Sequence, residues 1–452
     1  VSEQHSTPNP AINDPQQRGT GLSRYLAAMG PGFLFAGAAI GTSHVVQATR
    51  AGADYGTGLL VFILLAILIK YPCFYFGPLY ASKTGKSLVE GYRLTFGKPI
   101  VALFGLIQIP VFAIIVAAIA ITTAGVGGNL LRIPLSGPVL AVLLIAACGV
   151  IIYSGGYAIV DRINKVFIAI LSVTTLIATV LALPNVSWSW YPASAVSPLF
   201  SATTFVTLVA ILGFMPSGLS LSIVNSLWSL ARNEANGASA DSRMEKLDFN
   251  IGYIGSALIA ACFVVMGAGV LHSQNINLAT GSVGFASQVV DMYVSTLGPW
   301  SGFVVGISIF TVLLTTLLTV LDGFPRVIVA VFESLGHDGA RQAARPKQAH
   351  PGQRPNAGKG KGARYLAMAG LSVLAALILF FLMGNFWLFI NFAMITSAVV
   401  SPLLAGLNHL TMNGVSVSRA DRPSALLNAW SALAIVTLAI LSVCYLYIRF
   451  VL

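Results

Sequence analysis

Two short polar interruptions fall inside long apolar runs. Gly41-Thr42-Ser43-His44 divides GFLFAGAAI from VVQAT, and Met215-Pro216-Ser217-Gly218 divides TLVAILGF from LSLSIVNSLW. Pro216 removes a backbone donor, and Gly41 and Gly218 permit unusual dihedrals. Brought together, the two interruptions offer an imidazole (His44), a thioether (Met215) and hydroxyls at Thr42, Ser43, Ser217, Ser220 and Ser222, but no carboxylate. Magnesium and calcium are bound mainly by carboxylate oxygens, so neither is expected there. Imidazole with thioether suits late first-row metals or Cu(I). The same residues also fit other chemistry. His44 can serve as a hydrogen-bond donor to an organic substrate or as a pH-sensitive gate. A neutral site flanked by two half-helix N-termini, near Ser43 and Ser217, suits an anion or zwitterion as well as a cation. Three further ionisable residues sit in apolar surroundings. Lys70 lies in AILIKYPCF; Asp322 and Arg326 lie in LTVLDGFPR at i, i+4 spacing. Their coupling or gating reading competes with snorkelling for Lys70 and with a helix-end ion pair for the other two.

The elements that must position these residues follow from composition. Of 452 residues only 9% are charged and 56% are hydrophobic. A soluble protein carries roughly 25% charged residues, so a soluble enzyme is excluded and a polytopic helical membrane protein is expected. Apolar runs long enough to span occur at about 30–50, 58–80, 100–125, 137–157, 164–183, 201–229, 250–271, 299–321, 365–383, 386–409 and 425–448. Residues 1–28 read as a polar cytoplasmic tail and 337–363 as a flexible cytoplasmic linker. Most of the 25 Lys and Arg fall in alternate connections. The other connections hold only Arg132 and Arg449, with Arg50 at a helix end. The bias predicts a cytoplasmic N-terminus and an outside C-terminus. It also accounts for the net charge of +11 without a nucleic-acid partner. The four cysteines show no paired spacing and read as small apolar residues.

The two interruptions lie five spans apart. An unwound segment in a bilayer is tolerated where it is buried or lines a cavity, and it commonly forms a transporter site. The spacing predicts a 5+5 inverted repeat: residues 29–183 as the first five-helix unit, 200–410 as the second, and 424–452 as an eleventh helix.

Several short motifs occur in one order along the chain. Gly30-Pro31-Gly32-Phe33-Leu34 opens span 1, and Ala51-Gly52-Ala53 with Tyr55-Gly56 closes it. Thr84-Gly85-Lys86, Leu88 and Glu90 follow span 2, and Met215-Pro216 breaks span 6. The ordered set resembles the natural resistance-associated macrophage protein (Nramp) family of divalent-metal transporters. The resemblance implies an all-α, leucine-transporter-like fold with helices 1 and 6 unwound, alternating access, and a metal site between the unwound parts. Aligned on those motifs, the family's helix-1 Asp-Pro-Gly-Asn falls on Gly41, Thr42, Ser43 and His44, so the Asp is missing. The family's helix-6 Met-Pro-His matches Met215 and Pro216 but places Ser217 at the His. The helix-6 carbonyl comes from Leu212, and the helix-10 Gln becomes Met394. The acidic residues of the family's helix 3 are absent too, which puts a proton as coupling ion in doubt.

The expected function is therefore secondary transport across a plasma or bacterial inner membrane. The first expectation is a transition metal held by a divergent site with His44 and Met215 as ligands. The alternatives are a non-metal polar or anionic solute on the same fold, and a sensor without transport. No resident cofactor is expected. No Walker A motif, His-Glu-x-x-His or intramembrane carboxylate pair near a His points to an enzyme.

Overall fold

The computed structural model describes residues 31–155, 157–188, 202–236, 242–336, 359–382 and 384–450. The tail at 1–28 and most of the linker at 337–363 lie outside these. The described elements are helical. The first half contains α1 (Pro31–Ala39), a π turn (Ser43–Ala48), α2 (Thr49–Tyr55), α3 (Leu60–Thr84), α4 (Leu88–Phe96), α5 (Lys98–Leu131), α6 (Gly137–Tyr153) and α7 (Tyr157–Ala182). The second half contains α8 (Ala202–Phe214), α9 (Ser220–Asn236), α10 (Ser242–Met266) with a π turn at Gly267–His272, α11 (Ser282–Leu297), α12 (Trp300–Gly336), α13 (Lys359–Phe381) and α14 (Phe386–Met412); α15 (Ala425–Phe450) follows.

Among the described residues, eight helices are long and apolar enough to cross a membrane. Three of the expected spans fall short of that length for a physical reason. Spans 1 and 6 are each split by a break, and α6 has only 17 residues. Both breaks occur where the polar interruptions predicted them. α1 ends at Ala39 just before Gly41-Thr42, and α8 ends at Phe214 just before Met215-Pro216, whose peptide bond is cis.

Local chemistry fixes the turn after α3. Gly85 takes φ +65° and donates its N–H to the Ala81 carbonyl at 2.9 Å. The backbone then enters α4 through a capping box. Ser87 Oγ accepts from Glu90 N at 3.2 Å, and Glu90 Oε2 accepts from Ser87 N at 2.8 Å. Reciprocal capping of this kind satisfies two orphan N–H groups of a helix start.

Without a hydrophobic drive between helices in lipid, close packing holds the bundle. α5 packs along α12, with Phe112 stacked on Phe324 at 4.0 Å between ring centroids. Both halves of the first helix press on the helix that contains α10. A Cβ on Gly32 would collide with the Asp248 carbonyl, and one on Gly252 with the Gly32 carbonyl. At the other half, a Cβ on Gly52 would collide with the Val264 carbonyl and one on Gly267 with the Thr49 carbonyl.

Candidate functional site

The two breaks meet at the centre of the bundle. Ser43 Oγ lies 2.8 Å from the Ala39 carbonyl oxygen, 2.8 Å from His44 Nδ1 and 3.0 Å from the Pro216 carbonyl oxygen. One hydroxyl therefore ties the unwound part of the first helix to the unwound part of the sixth. Beside it is a cavity with about 20 Å³ of free space, room for one water-sized body. Its wall includes Thr42, Ser43, Ser217, Ser220 and Thr316 as polar residues and Ile115, Phe214 and Phe324 among the apolar ones. Thr42 Oγ1 is buried and has no hydrogen-bond partner among the described residues. A buried unsatisfied hydroxyl costs about 1–3 kcal/mol, which a polar ligand would offset. Gly41 lets α12 approach: a Cβ there would stand 2.9 Å from Thr316 Cγ2. Thr316 Oγ1 in turn donates to the Gly37 carbonyl at 2.7 Å.

His44 is fully buried and is not part of this cavity's wall. Its Nε2 is 2.8 Å from the Ser256 carbonyl oxygen on α10. A carbonyl only accepts, so Nε2 carries the proton of that bond and Nδ1 faces the Ser43 hydroxyl. Nε2 is thus engaged, and Nδ1 shares the single Ser43 proton with the Ala39 and Pro216 carbonyls. Met215 and Met394 are buried, at 0% and 2% exposure, and neither is part of the cavity wall. The Leu212 carbonyl accepts a hydrogen bond from Lys70 Nζ at 2.7 Å. Among the described residues, no group of three or more His, Cys, Asp and Glu converges as a metal centre would require. Of the expected set, the structure brings Thr42, Ser43 and Ser217 to one cavity, with Gly41 behind them.

Beyond the cavity, polar contacts tie both halves of the first helix to their neighbours; of these, the sequence offered only the i, i+4 pair Arg50–Asp54, as a structural or vestibular pair. At the α1 end, Gly32 N donates to Asp248 Oδ2 at 2.8 Å. Arg232 on α9 bridges Glu245 and Asp248, its Nη1 lying 3.5 Å from Asp248 Oδ2. At the α2 end, Arg50 donates to Asn391 Oδ1 at 2.9 Å, pairs with Asp54 at 3.1 Å and lies over the Trp387 ring at 4.8 Å. Gln47 also reaches Asn391, at 3.3 Å. The available signals were small: Glu245 and Asp248 at i, i+3 in the first turns of α10, and the polar pair Thr315-Thr316 inside the apolar run of α12.

Asp322 and Arg326 form an ion pair within α12, Nε to Oδ2 at 2.8 Å and Nη2 to Oδ1 at 3.2 Å. The helix continues through Pro325. Arg364 on α13 approaches the same carboxylate at 3.9 Å. None of the three lines the central cavity.

A family model described as natural resistance-associated macrophage protein-like matches residues 32–448. The chain belongs to the Nramp-like family. An uncharacterized protein of Pasteurella multocida is 33% identical over 386 residues, 84% of this chain and 84% of that protein. A divalent metal cation transporter of Verminephrobacter eiseniae is 25% identical over 267 residues, 58% of this chain and 60% of that protein. Among solved structures, a manganese transporter of Eremococcus coleocola has a TM-score of 0.68 at 13% identity, over 95% of this chain and 87% of that one. MhsT in complex with L-phenylalanine has a TM-score of 0.61 at 16% identity, over 95% and 98%. The Nramp-like chain is a multi-pass membrane protein with a leucine-transporter-like fold.

Proposed function

We propose that this Nramp-like chain is a secondary transporter carrying one small cargo at a time through the cavity between its two broken helices. The single observation that carries this reading is the cavity itself. It joins Thr42 and Ser43 of one break to Ser217 and Ser220 of the other, and Thr42 presents an unpartnered hydroxyl. Alternating access is part of this reading, and it is supported by the two broken helices with polar ties on either side of the first break. The membrane is a plasma or bacterial inner membrane, with the N-terminus in the cytoplasm and the C-terminus outside.

Metal-ion transport is the first reading for the cargo. Family membership supports it, as do the relatives named a divalent metal cation transporter and a manganese transporter. The oxygens at the cavity are neutral, so a metal would be held by hydroxyls and main-chain carbonyls more weakly than by a carboxylate. The softer set of His44, Met215 and Met394 would assemble only if the His44 ring turned from Ser256. The second reading is a small polar or anionic solute. It is favoured by a cavity without a carboxylate, next to the N-terminal end of α9. MhsT is in complex with L-phenylalanine on a similar fold, so the architecture accommodates an organic ligand.

Uptake into proteoliposomes tests both readings. Manganese, cobalt, cadmium and copper(I) are offered with and without a proton gradient. Accumulation of at least one metal, reduced in Thr42→Val, is the expected result. Failure of every metal, with uptake of a polar organic solute that Thr42→Val reduces, would replace the first reading by the second.

A further inference from the structure

The last carbonyls of α8 face a problem set by their own sequence. In an α-helix the Leu212 carbonyl would accept from the N–H four residues on, at position 216. That residue is Pro216, which has no N–H. The helix stops at Phe214, so the Gly213 carbonyl is also left at a helix end. The C-terminal end of a helix carries partial negative charge. In transporters with discontinuous helices, such half-helix ends and unwound carbonyls are where coupling cations bind.

Here a side chain from another helix reaches that end. Lys70 projects from the middle of α3, is 1% exposed, and donates from Nζ to the Leu212 carbonyl at 2.7 Å and to the Gly213 carbonyl at 3.2 Å. No carboxylate pairs with it among the described residues. An ammonium buried at this depth in a membrane protein is costly, and a neutral donor would satisfy the same carbonyls with less desolvation. The arrangement is explained if the positive charge itself is what the helix end requires. The Pro216 carbonyl, four residues after Leu212, meets Ser43 at the wall of the central cavity. The carbonyl cradle is therefore the last turn of α8, directly before the break whose residues line the central cavity.

We propose that the C-terminal end of α8 is a monovalent-cation site, and that Lys70 fills it with a tethered ammonium in place of a free ion. The chain then needs no sodium or potassium at this position, whichever cargo it carries. Shortening Lys70 turns the position into an ordinary ion site open to a small monovalent cation.

The test uses the full chain purified in detergent. Thermal unfolding is followed in choline, sodium, potassium and methylammonium chlorides at equal ionic strength. The parent is expected to unfold at the same midpoint in all four salts. Lys70→Ala is expected to unfold several degrees lower in choline and to recover at least half of that loss, saturably, with one of the smaller cations. An equal response of Lys70→Ala to all four salts would overturn the proposal. Lys70→Gln offers uncharged donors. If it matches the parent midpoint in choline, the site needs only hydrogen bonds and the proposal fails. Where Lys70→Ala yields no folded protein, Lys70→Arg against Lys70→Gln decides the matter. Retained charge predicts that Arg is the more stable and indifferent to salt, and the reverse order overturns the proposal.

Discussion

His44 Nε2 donates to the carbonyl oxygen of Ser256 at 2.8 Å, which joins the unwound stretch of the first helix to the middle of α10. Removing the imidazole takes the side-chain donor from the buried Ser256 carbonyl, while the Ser43 hydroxyl keeps the Ala39 and Pro216 carbonyls as acceptors. His44→Ala is therefore expected to lower unfolding stability by about 1–3 kcal/mol, read from thermal unfolding in detergent. Calorimetric titration with cobalt or cadmium separates this from a ligand role. Whatever metal binding the parent shows should persist in the variant. Lost binding at an unchanged midpoint would make His44 a ligand instead.

Thr42 should behave in the opposite way. Its hydroxyl has no partner, so Thr42→Val removes a buried unsatisfied group and keeps the shape of the side chain. The unfolding free energy is expected to stay level or rise, by up to about 1 kcal/mol, while cargo uptake falls. A variant that loses stability and keeps uptake would show that Thr42 is a packing residue.

Asp248 anchors the start of α1 through the Gly32 N–H. Asp248→Asn weakens a charge-assisted bond and its tie to Arg232. The amides at the start of α1 should exchange with deuterium about tenfold faster, equivalent to ~1.4 kcal/mol of local opening, while those of α12 keep the parent rate. Equal acceleration in both helices would point to global destabilisation.

Asp322 and Arg326 give a measurable pair. The carboxylate is the less exposed partner, at 10% against 27%, and two nitrogens of the guanidinium reach it. A double-mutant cycle with Asp322→Asn and Arg326→Gln should return a coupling of about 1 kcal/mol or more. A coupling near zero would mean that Arg364 takes over the carboxylate when Arg326 is removed.

A pH effect is expected at the connection between α14 and α15. The Ser418 hydroxyl, and then the Lys83 ammonium 3.1 Å away, hold the Asp421 carboxyl below its ordinary value. A depressed value in the folded state means that the tie is present above the unfolded value and is lost as pH falls through the folded one. The carboxyl carbon of Asp421, followed by NMR, should titrate at higher pH in Lys83→Met than in the parent. An unmoved titration would leave Ser418 as the sole cause.

What could be read from the sequence was what depends on composition and short range. Long apolar runs predicted the spans, and Gly41-Thr42 and Met215-Pro216 predicted both breaks because glycine and proline act on their own backbone. The Ser87–Glu90 capping box was equally local and lay inside the ordered motifs that carried the family resemblance. The orientation of His44 was not legible. A ring in an unwound turn can face the cavity or the neighbouring helix, and the choice depends on the Ser256 carbonyl 212 positions away. Lys70 was ambiguous for the same reason, since its partners belong to a helix end 142 positions downstream. Thr316, Asp248 and Asn391 were missed because each gains its role from a partner supplied by another helix.

The glycine contacts between the first helix and the α10 helix bear on how the site can open. Carbonyl groups of one helix fit where the other has no side chain, at Gly32 with Gly252 and again at Gly52 with Gly267. The first helix is thus riveted to one neighbour above and below its break. A hinge at Gly41-Thr42 that swung either half out alone would have to prise apart backbone already in contact. Carrying the neighbour along strains neither rivet. Any displacement of the broken helix that keeps both rivets must carry α10 with it.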